Sequence, residues 1–244
     1  MKQKVIGLIP ARMGSSRFPG KPIAIINKKP MIYWVFNQTK KAENIDELYV
    51  VTPDDEIYNV CIKYNIPCIL DHRQGSTAAE KLALESEKLN GDIYLNIQGD
   101  EPLIKPSLIN EIIEELLKNK DVNYVGFAST IETKEEHENR NNVKVVLDKN
   151  DYAMYFSRSP IPNKFEYGHC YRVLGLYGYR KETLSLFLEV KKSKLENLES
   201  GIEMIRLLEN GSKIKFLHTN YKTIGVDLPE HIKVVEEEMK KRRI

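Results

Sequence analysis

Several features that would assign a protein to a particular class are scarce or absent in this chain of 244 residues. It has three cysteines, Cys61, Cys68 and Cys170, and their spacing fits no metal site. Their odd number favours reduced thiols in a cytosol over a disulfide framework. No apolar run approaches the roughly 18 residues of a membrane span, and the first residues lead directly into an apolar strand pattern with no signal peptide. We therefore expect a cytoplasmic protein with no membrane partner.

Charge of one sign is also lacking, since 37 basic and 35 acidic residues leave a formal net charge of +2. Such a balance offers no electrostatic case for nucleic acid or an anionic membrane as a partner. The hydrophobic fraction of 41% and the charged fraction of 30% are those of a globular protein. Because no linker, repeat or low-complexity segment interrupts the chain, we predict a single domain over residues 1–244.

The stretch from Lys4 to Lys21 is the most informative part of the chain. An apolar run ends at Pro10, as a buried parallel strand would, and a loop of small residues and cations follows. Backbone N–H groups of such a loop can approach phosphate oxygens while the cations offset their charge. The loop contains neither GxxxxGK[ST] nor GxGxxG, so it is not a Walker loop or a dinucleotide fingerprint. By composition alone, an ordinary basic surface loop is an equally good interpretation.

Beyond this loop, the first half of the chain alternates strand and helix patterns. We predict strands at 47–51, 67–70 and 92–97, and helices beginning near Pro30, Asp54–Asp55 and Thr77, the last ending near Lys88. The acidic pair 54–55 is expected to cap its helix. This alternation predicts a mostly parallel, doubly wound sheet, whose ligands bind at the carboxyl ends of the strands. The loops at 10–21, 52–55 and 98–102 all fall on that edge.

The second half has a different pattern. Residues 143–147 and 152–156 flank a polar turn and predict an antiparallel hairpin. Further predictions are a strand at 171–179, helices at 181–190, 198–209 and 229–241, and a strand at 214–217. We interpret residues 130–180 as an antiparallel appendage and a dimer surface.

Two aspartates stand out on the ligand edge. Asp100 follows a buried strand and Asp227 follows the last strand. Two carboxylates meeting at a polyphosphate suit Mg²⁺, which prefers hard oxygen ligands. Each aspartate alone is also a common turn or cap residue, and their spacing does not establish that they converge. Together with the cationic loop, they favour nucleotidyl transfer, in which an acceptor oxygen attacks the α-phosphate and pyrophosphate leaves.

Seven ordered motifs resemble the 3-deoxy-manno-octulosonate (KDO) cytidylyltransferase family. They lie at residues 9–22, 98–104, 143–148, 155–162, 174–180, 206–211 and 225–229. The resemblance covers nearly the whole chain and implies a Rossmann-like nucleotidyltransferase fold and a homodimer. It also implies transfer of CMP from CTP to the anomeric hydroxyl of KDO, a small sugar acid of surface polysaccharides, with Mg²⁺ as cofactor.

The resemblance also implies roles for individual residues. Arg12, Lys21 and Asp100 would be catalytic, and Asp100 and Asp227 would bind the metal. Nucleotide binding would involve Pro10, Ala11, Arg12, Ser15, Arg17, Lys21, Thr52 and Gln98. Acceptor binding would involve His72, Arg73, Ala78, Arg158, Val173, Tyr177, Glu203 and Met204.

The chain departs from the family pattern mainly on the acceptor side. Ala78 stands where the family has arginine, Val173 where it has histidine, and Met204 where it has glutamine. Loss of charge-assisted bonds should weaken the binding of an ordinary acid. We therefore also consider a different acceptor, such as a modified sugar acid or a phosphorylated or carboxylated small molecule, with a cation supplied by Arg73, His72 or His169. Alternatively, the replacements are compensated and KDO remains the acceptor.

Two further hypotheses remain open from the sequence. The motifs identify few residues of the pocket that would bind the nucleotide base, so the enzyme could use a nucleotide other than CTP. The chain could also be a non-catalytic nucleotide-binding regulatory protein, although Lys21, Asp100 and Asp227 together argue against that class, because a binding module needs no metal at the α-phosphate.

Overall fold

The computed structural model describes residues 2–15, 17–73, 77–222 and 224–244. Ser16 of the predicted phosphate loop lies outside the described residues, and so do residues 74–76, between the predicted strand at 67–70 and the predicted helix beginning near Thr77. In the described parts of the chain, no helix combines the length and the apolarity needed to cross a membrane.

The first half of the chain forms alternating strands and helices. The strands are β1 (Val5–Pro10), β2 (Ile25–Ile26), β3 (Lys29–Pro30), β4 (Glu47–Thr52), β5 (Cys68–Leu70), β6 (Ile93–Ile97) and β7 (Tyr124–Thr130). The helices are α1 (Met31–Thr39), α2 (Asp55–Lys63), α3 (Ala78–Ser86) and α4 (Pro106–Lys118). A short 3₁₀ helix spans Lys21–Ile23. The elements predicted up to residue 97 are all present, whereas α4 and β7 fall in a stretch for which the sequence analysis assigned no element.

The second half contains the remaining elements. The helices are α5 (Lys134–Glu138), α6 (Lys181–Glu189), α7 (Lys194–Leu198), α8 (Met204–Glu209) and α9 (His231–Arg242). The strands are β8 (Lys144–Leu147), β9 (Ala153–Ser157), β10 (Tyr171–Arg180) and β11 (Ile214–Thr219). The single helix predicted over 198–209 is wrong. The chain breaks it at Ser200 and Gly201, whose φ angles of 55° and 74° lie in the left-handed region.

The main sheet has the strand order β11-β7-β10-β6-β1-β4-β5, and the β8–β9 hairpin pairs with β10. Strands β6, β1, β4 and β5 run parallel, as β11 and β7 do, while β10 is antiparallel to both β6 and β7. The predicted α/β fold with a mostly parallel sheet and an antiparallel hairpin is thus confirmed. The hairpin is joined to the sheet rather than separate from it, because β10 is itself an inner strand.

Both faces of the sheet are buried. Alternate residues of β1 enter different hydrophobic cores: Val5 and Ile9 pack in one, and Ile6 and Leu8 in the other. Side chains of α1, α2, α4 and α9 cover the first face, and those of α3, α6 and α8 cover the second. A sheet covered in this way leaves the carboxyl edge of its parallel strands as the natural place for a ligand.

Candidate active site

A cleft of about 1010 Å³ opens at the carboxyl ends of β1, β4, β5 and β6. Its lining residues are Pro10, Ala11, Arg12, Ser15, Arg17, Lys21, Pro22, Val51, Pro53, Asp54, His72, Arg73, Thr77, Ala78, Lys81, Gln98, Gly99, Asp100, Glu203 and Asp227. The cleft therefore combines the cationic loop with both predicted metal-binding aspartates.

Lys21 is the centre of the charged end of the cleft. Its ammonium lies 2.6 Å from an oxygen of Asp100 and 3.5 Å from an oxygen of Asp227. Arg17 also contacts Asp227, at 3.0 Å. The two aspartates thus converge on one cation although 127 positions separate them in the sequence. A backbone bond from the Val226 N–H to the Asp100 carbonyl, 2.9 Å long, holds their two loops together.

Two glycines shape this end of the cleft. Gly20 adopts a φ of 72° and begins the 3₁₀ helix whose first residue is Lys21, a conformation that favours glycine. A Cβ atom on Gly99 would lie 2.7 Å from the Pro10 carbonyl oxygen. Only glycine therefore lets the loop after β6, which carries Asp100, approach the loop after β1 this closely.

Asp54 has a different role from the predicted helix cap. It occupies the N-cap position of α2, but its side chain makes no capping bond. Its carboxylate instead accepts a 2.7 Å bond from the Met13 N–H and so ties the predicted phosphate loop to the end of β4. Thr52, predicted to bind nucleotide, is buried and accepts a bond from the Asp54 N–H. It does not line the cleft, whereas Asp54 does.

The other wall of the cleft begins at the start of α3. Thr77 caps this helix by accepting a 3.2 Å bond from the Glu80 N–H. Glu203, from the segment before α8, accepts a 3.3 Å bond from the Ala79 N–H. Burial raises the pKa of the Glu203 carboxyl, and hydrogen bonds from the Thr77 side chain and the Ala79 N–H partly offset this. Ala78 contributes only a methyl group to this wall.

His72 and Arg73 approach the cleft from the end of β5. A ring nitrogen of His72 lies 2.9 Å from the Pro53 carbonyl oxygen. The Arg73 guanidinium lies 2.6 Å from a carboxylate oxygen of Asp71, which is almost fully buried. Arg73, Lys88 and the buried Glu85 hydrogen-bond to Asp71, and the bond from Arg73 has the largest effect in lowering the pKa of this carboxyl. Arg73 is therefore ion-paired with Asp71 within the protein.

Four predicted acceptor residues do not line the cleft. Arg158 donates to the carbonyls of Arg140 and Asn141, and Val173 pairs with Ala128 of β7 inside the sheet. Met204 is buried, with its sulfur 3.2 Å from the Tyr124 hydroxyl.

Tyr177, the fourth of these residues, is half-buried in β10 beside the ring of Tyr124. Its pKa is raised, chiefly by burial and then by the negative charge of Glu203. Tyr177 thus lies close to the cleft without forming its wall.

Several lining residues were not predicted from the sequence, chiefly Asp54 as a cleft residue, Thr77 and Lys81. A signal for Thr77 was present, since threonine three positions before a glutamate is a typical helix start. No pattern pointed to Lys81, because one lysine on an amphipathic helix is indistinguishable from a solvated charge.

The fold and the site define a class of protein: a Rossmann-like nucleotidyltransferase with a cationic loop facing two aspartates. A family model described as cytidylyltransferase matches residues 6–214. Two curated relatives carry the name 3-deoxy-manno-octulosonate cytidylyltransferase. The Fusobacterium nucleatum protein is 41% identical over 99% of both chains, and the Thermodesulfovibrio yellowstonii protein is 40% identical over 95% of this chain and 96% of its own. The chain therefore belongs to the 3-deoxy-manno-octulosonate cytidylyltransferase family.

A solved structure agrees with this assignment. It is described as CMP:2-keto-3-deoxy-manno-octonic acid synthetase complexed with CTP, and it superposes with a TM-score of 0.90 at 31% identity. The match covers 98% of this chain and 99% of that one. The resemblance inferred from the seven motifs is thus confirmed over nearly the full length.

Proposed function

We propose that this protein transfers CMP from CTP to the anomeric hydroxyl of KDO and releases pyrophosphate. The observation that carries the proposal is the convergence of Lys21, Asp100 and Asp227 at one end of a cleft large enough for a nucleotide and a sugar acid. The family relationship supplies the identity of both substrates. The product is an activated sugar acid, suited to the synthesis of a surface polysaccharide.

The cationic residues of the cleft have defined roles in this reaction. Arg12, Arg17 and Lys21 neutralise the triphosphate and hold it in line with the acceptor. The acceptor oxygen forms a bond to the α-phosphorus, the bond from that phosphorus to the bridging oxygen of the pyrophosphate breaks, and the hydroxyl proton passes to solvent. Because Lys21 now contacts the carboxylates of Asp100 and Asp227, nucleotide binding exchanges these contacts for phosphate oxygens.

The two aspartates fit a magnesium site of the kind that nucleotides complete. Both carboxylates lie around one ammonium, so one divalent cation can reach both. Among the described residues, no group of three or more acidic, histidine or cysteine side chains is placed to hold a metal without a substrate. We therefore propose that Asp100 and Asp227 supply two ligands for Mg²⁺, and that phosphate oxygens and water supply the others. Bound Mg²⁺ would polarise the α-phosphate and stabilise the charge that develops there.

KDO is the acceptor that the arrangement favours over a modified acid. The alternative rests on three replacements in the family pattern, at Ala78, Val173 and Met204. Val173 lies within the sheet and Met204 is buried under Tyr124, so neither lines the cleft. Only Ala78 alters the wall that a substrate would touch. The acceptor wall of the cleft therefore differs from the family pattern at one position, where alanine replaces arginine, and not at the three positions that the sequence alone suggested.

We also propose a homodimer that uses the β8–β9 hairpin. In the described structure β9 pairs only with β8 within the main sheet, and Met154 on β9 is 63% exposed. An open strand edge with an exposed apolar side chain is a natural place for a second copy. Light scattering of the purified chain would measure the mass, and a monomer at micromolar concentration would contradict the proposal.

The function is tested by measuring pyrophosphate release from CTP and Mg²⁺ with KDO, an amino-substituted KDO, sialic acid and simple phosphorylated acids. We expect turnover with KDO, and its loss by several orders of magnitude in Asp100→Asn with smaller losses of CTP affinity. Asp121→Asn is a matched control, because Asp121 is exposed in the turn before β7, at the opposite edge of the sheet.

The outcomes of this assay separate the hypotheses. Turnover with another acid but not with KDO would replace the acceptor. Tight CTP binding without turnover on any acceptor would instead support a nucleotide-binding protein without catalysis.

A further inference from the structure

Lys81 differs in its partners from Arg17, Lys21 and Arg73, three other cations of the cleft. It lies one helical turn after Ala78 on α3 and lines the same wall. Its ammonium donates to two backbone carbonyls, at 2.9 Å to Asp71 and 3.4 Å to Arg73. These bonds hold the side chain against the loop that follows β5.

The partners that Lys81 contacts directly are neutral carbonyls, and the negative charges of Asp71, Glu85 and Asp54 act on it only from beyond contact distance. Arg17 and Lys21 contact Asp227, and Arg73 contacts Asp71. No carboxylate lies within ion-pairing distance of Lys81 among the described residues. The side chain is half-buried, and burial is the main cause that lowers the pKa of its ammonium. A partly desolvated cation with a free donor is a favourable partner for an anion that enters the cleft.

We propose that Lys81 binds the carboxylate of the acceptor and thereby takes the place of the cation missing at Ala78. The proposal rests on the proposed function, because it requires an acid as the acceptor. Residues three apart on a helix share one face, so a lysine at 81 can serve the same part of the wall as a longer cation at 78. The long side chain reaches the cleft from one turn further down the helix.

Glu203 gives the bound acid an orientation. Its carboxylate lines the same wall and is held by the Ala79 N–H. A carboxylate of the substrate would be repelled there, whereas hydroxyl groups could donate to it. The acid group therefore faces Lys81, and the polyhydroxylated part of the sugar faces Glu203.

The test compares steady-state constants of the full-length wild-type enzyme, Lys81→Met and Lys81→Arg. In Lys81→Met we expect the KM for KDO to rise about 10- to 100-fold, the effect of losing one charge-assisted bond. The KM for CTP should change by less than about twofold, which is within the effect of a single weak contact. Lys81→Arg should recover most of the affinity for KDO because it keeps the charge.

A second measurement uses an acceptor analogue whose carboxylate is replaced by a carboxamide. The wild-type enzyme should prefer the acid over the amide, and Lys81→Met should lose most of that preference. Lys88→Met is the matched control: Lys88 also bonds to Asp71, at 2.6 Å, but it does not line the cleft. This control should leave the KM for KDO and the preference for the acid unchanged.

The outcomes distinguish this inference from the proposed function. If the wild-type enzyme shows no turnover with KDO, the proposed function fails first. If the wild-type enzyme uses KDO but Lys81→Met keeps its KM for KDO and its preference for the acid, the assignment of Lys81 is overturned. A rise in the KM for CTP as large as that for KDO would place Lys81 on the nucleotide and would also overturn it.

Discussion

The buried carboxyl of Glu85 should make the stability of this protein fall as the pH rises from about 4.5 to about 7. The side chain of Glu85 is 1% exposed. Arg73 and Lys88 each approach it only to 3.5 Å, while both lie 2.6 Å from Asp71. The cations thus favour the ionised form of Asp71, and burial raises the pKa of Glu85 from 4.5 to about 7.

The sign and size of the effect follow from proton linkage. Between pH 4.5 and about 7 the native state keeps a proton on Glu85 that the unfolded chain releases. The free energy of unfolding therefore falls as the pH rises through this interval. The difference between 4.5 and about 7, at about 1.4 kcal/mol for each pH unit, amounts to roughly 3 to 4 kcal/mol over the whole interval. Asp71 acts in the opposite sense and in a lower range, because its pKa is lowered from 3.8 and its contribution is lost only in acid.

The assay is urea unfolding of the wild type and of Glu85→Gln at pH 5 and pH 8. Glutamine keeps the shape of the protonated acid but cannot ionise, so the variant should gain about 2 to 3 kcal/mol relative to the wild type between the two pH values, because part of the interval lies below pH 5. Glu87→Gln is the control, since Glu87 faces Arg73 but is 59% exposed, and its difference from the wild type should stay constant. An equal difference at both pH values for Glu85→Gln would refute the reasoning.

Two further predictions concern packing. Arg206 is 1% exposed and pairs with the fully buried Glu196 at 2.8 Å and with Glu80 at 3.0 Å, so Arg206→Met should lower the free energy of unfolding by about 3 to 5 kcal/mol. Chemical denaturation measures this loss. If an unpaired buried charge is its cause, adding Glu196→Gln to Arg206→Met should recover part of the stability. A double variant at least as unstable as Arg206→Met would contradict that cause. Gly99→Ala should reduce kcat much more than stability, because its Cβ would meet the Pro10 carbonyl at 2.7 Å and displace the loop that carries Asp100. Equal kcat values for the variant and the wild type, measured by pyrophosphate release, would show that the loops tolerate the methyl group.

The order of the elements was predictable because it depends on local patterns. Apolar strands alternating with amphipathic helices specify a layered α/β sheet, and the end of each parallel strand places its loop on one edge. Lys21 and Asp100 were therefore identifiable as neighbours on the ligand edge before any coordinates. The break before α8 was missed although Gly201 signals it, because the apolar periodicity continues on both sides.

By itself, the sequence determined the fold class, the cationic loop after β1 and the family of this protein, since each depends on the local order of residues or on motifs that can be compared directly. Only the tertiary structure decided that Asp227 meets Asp100 around Lys21 and that Met204 is buried away from the cleft. It also decided that Lys81, unremarkable on its helix, faces the cleft wall with no carboxylate partner among the described residues. Such facts depend on contacts between positions far apart in the chain, which local propensity and periodicity do not encode.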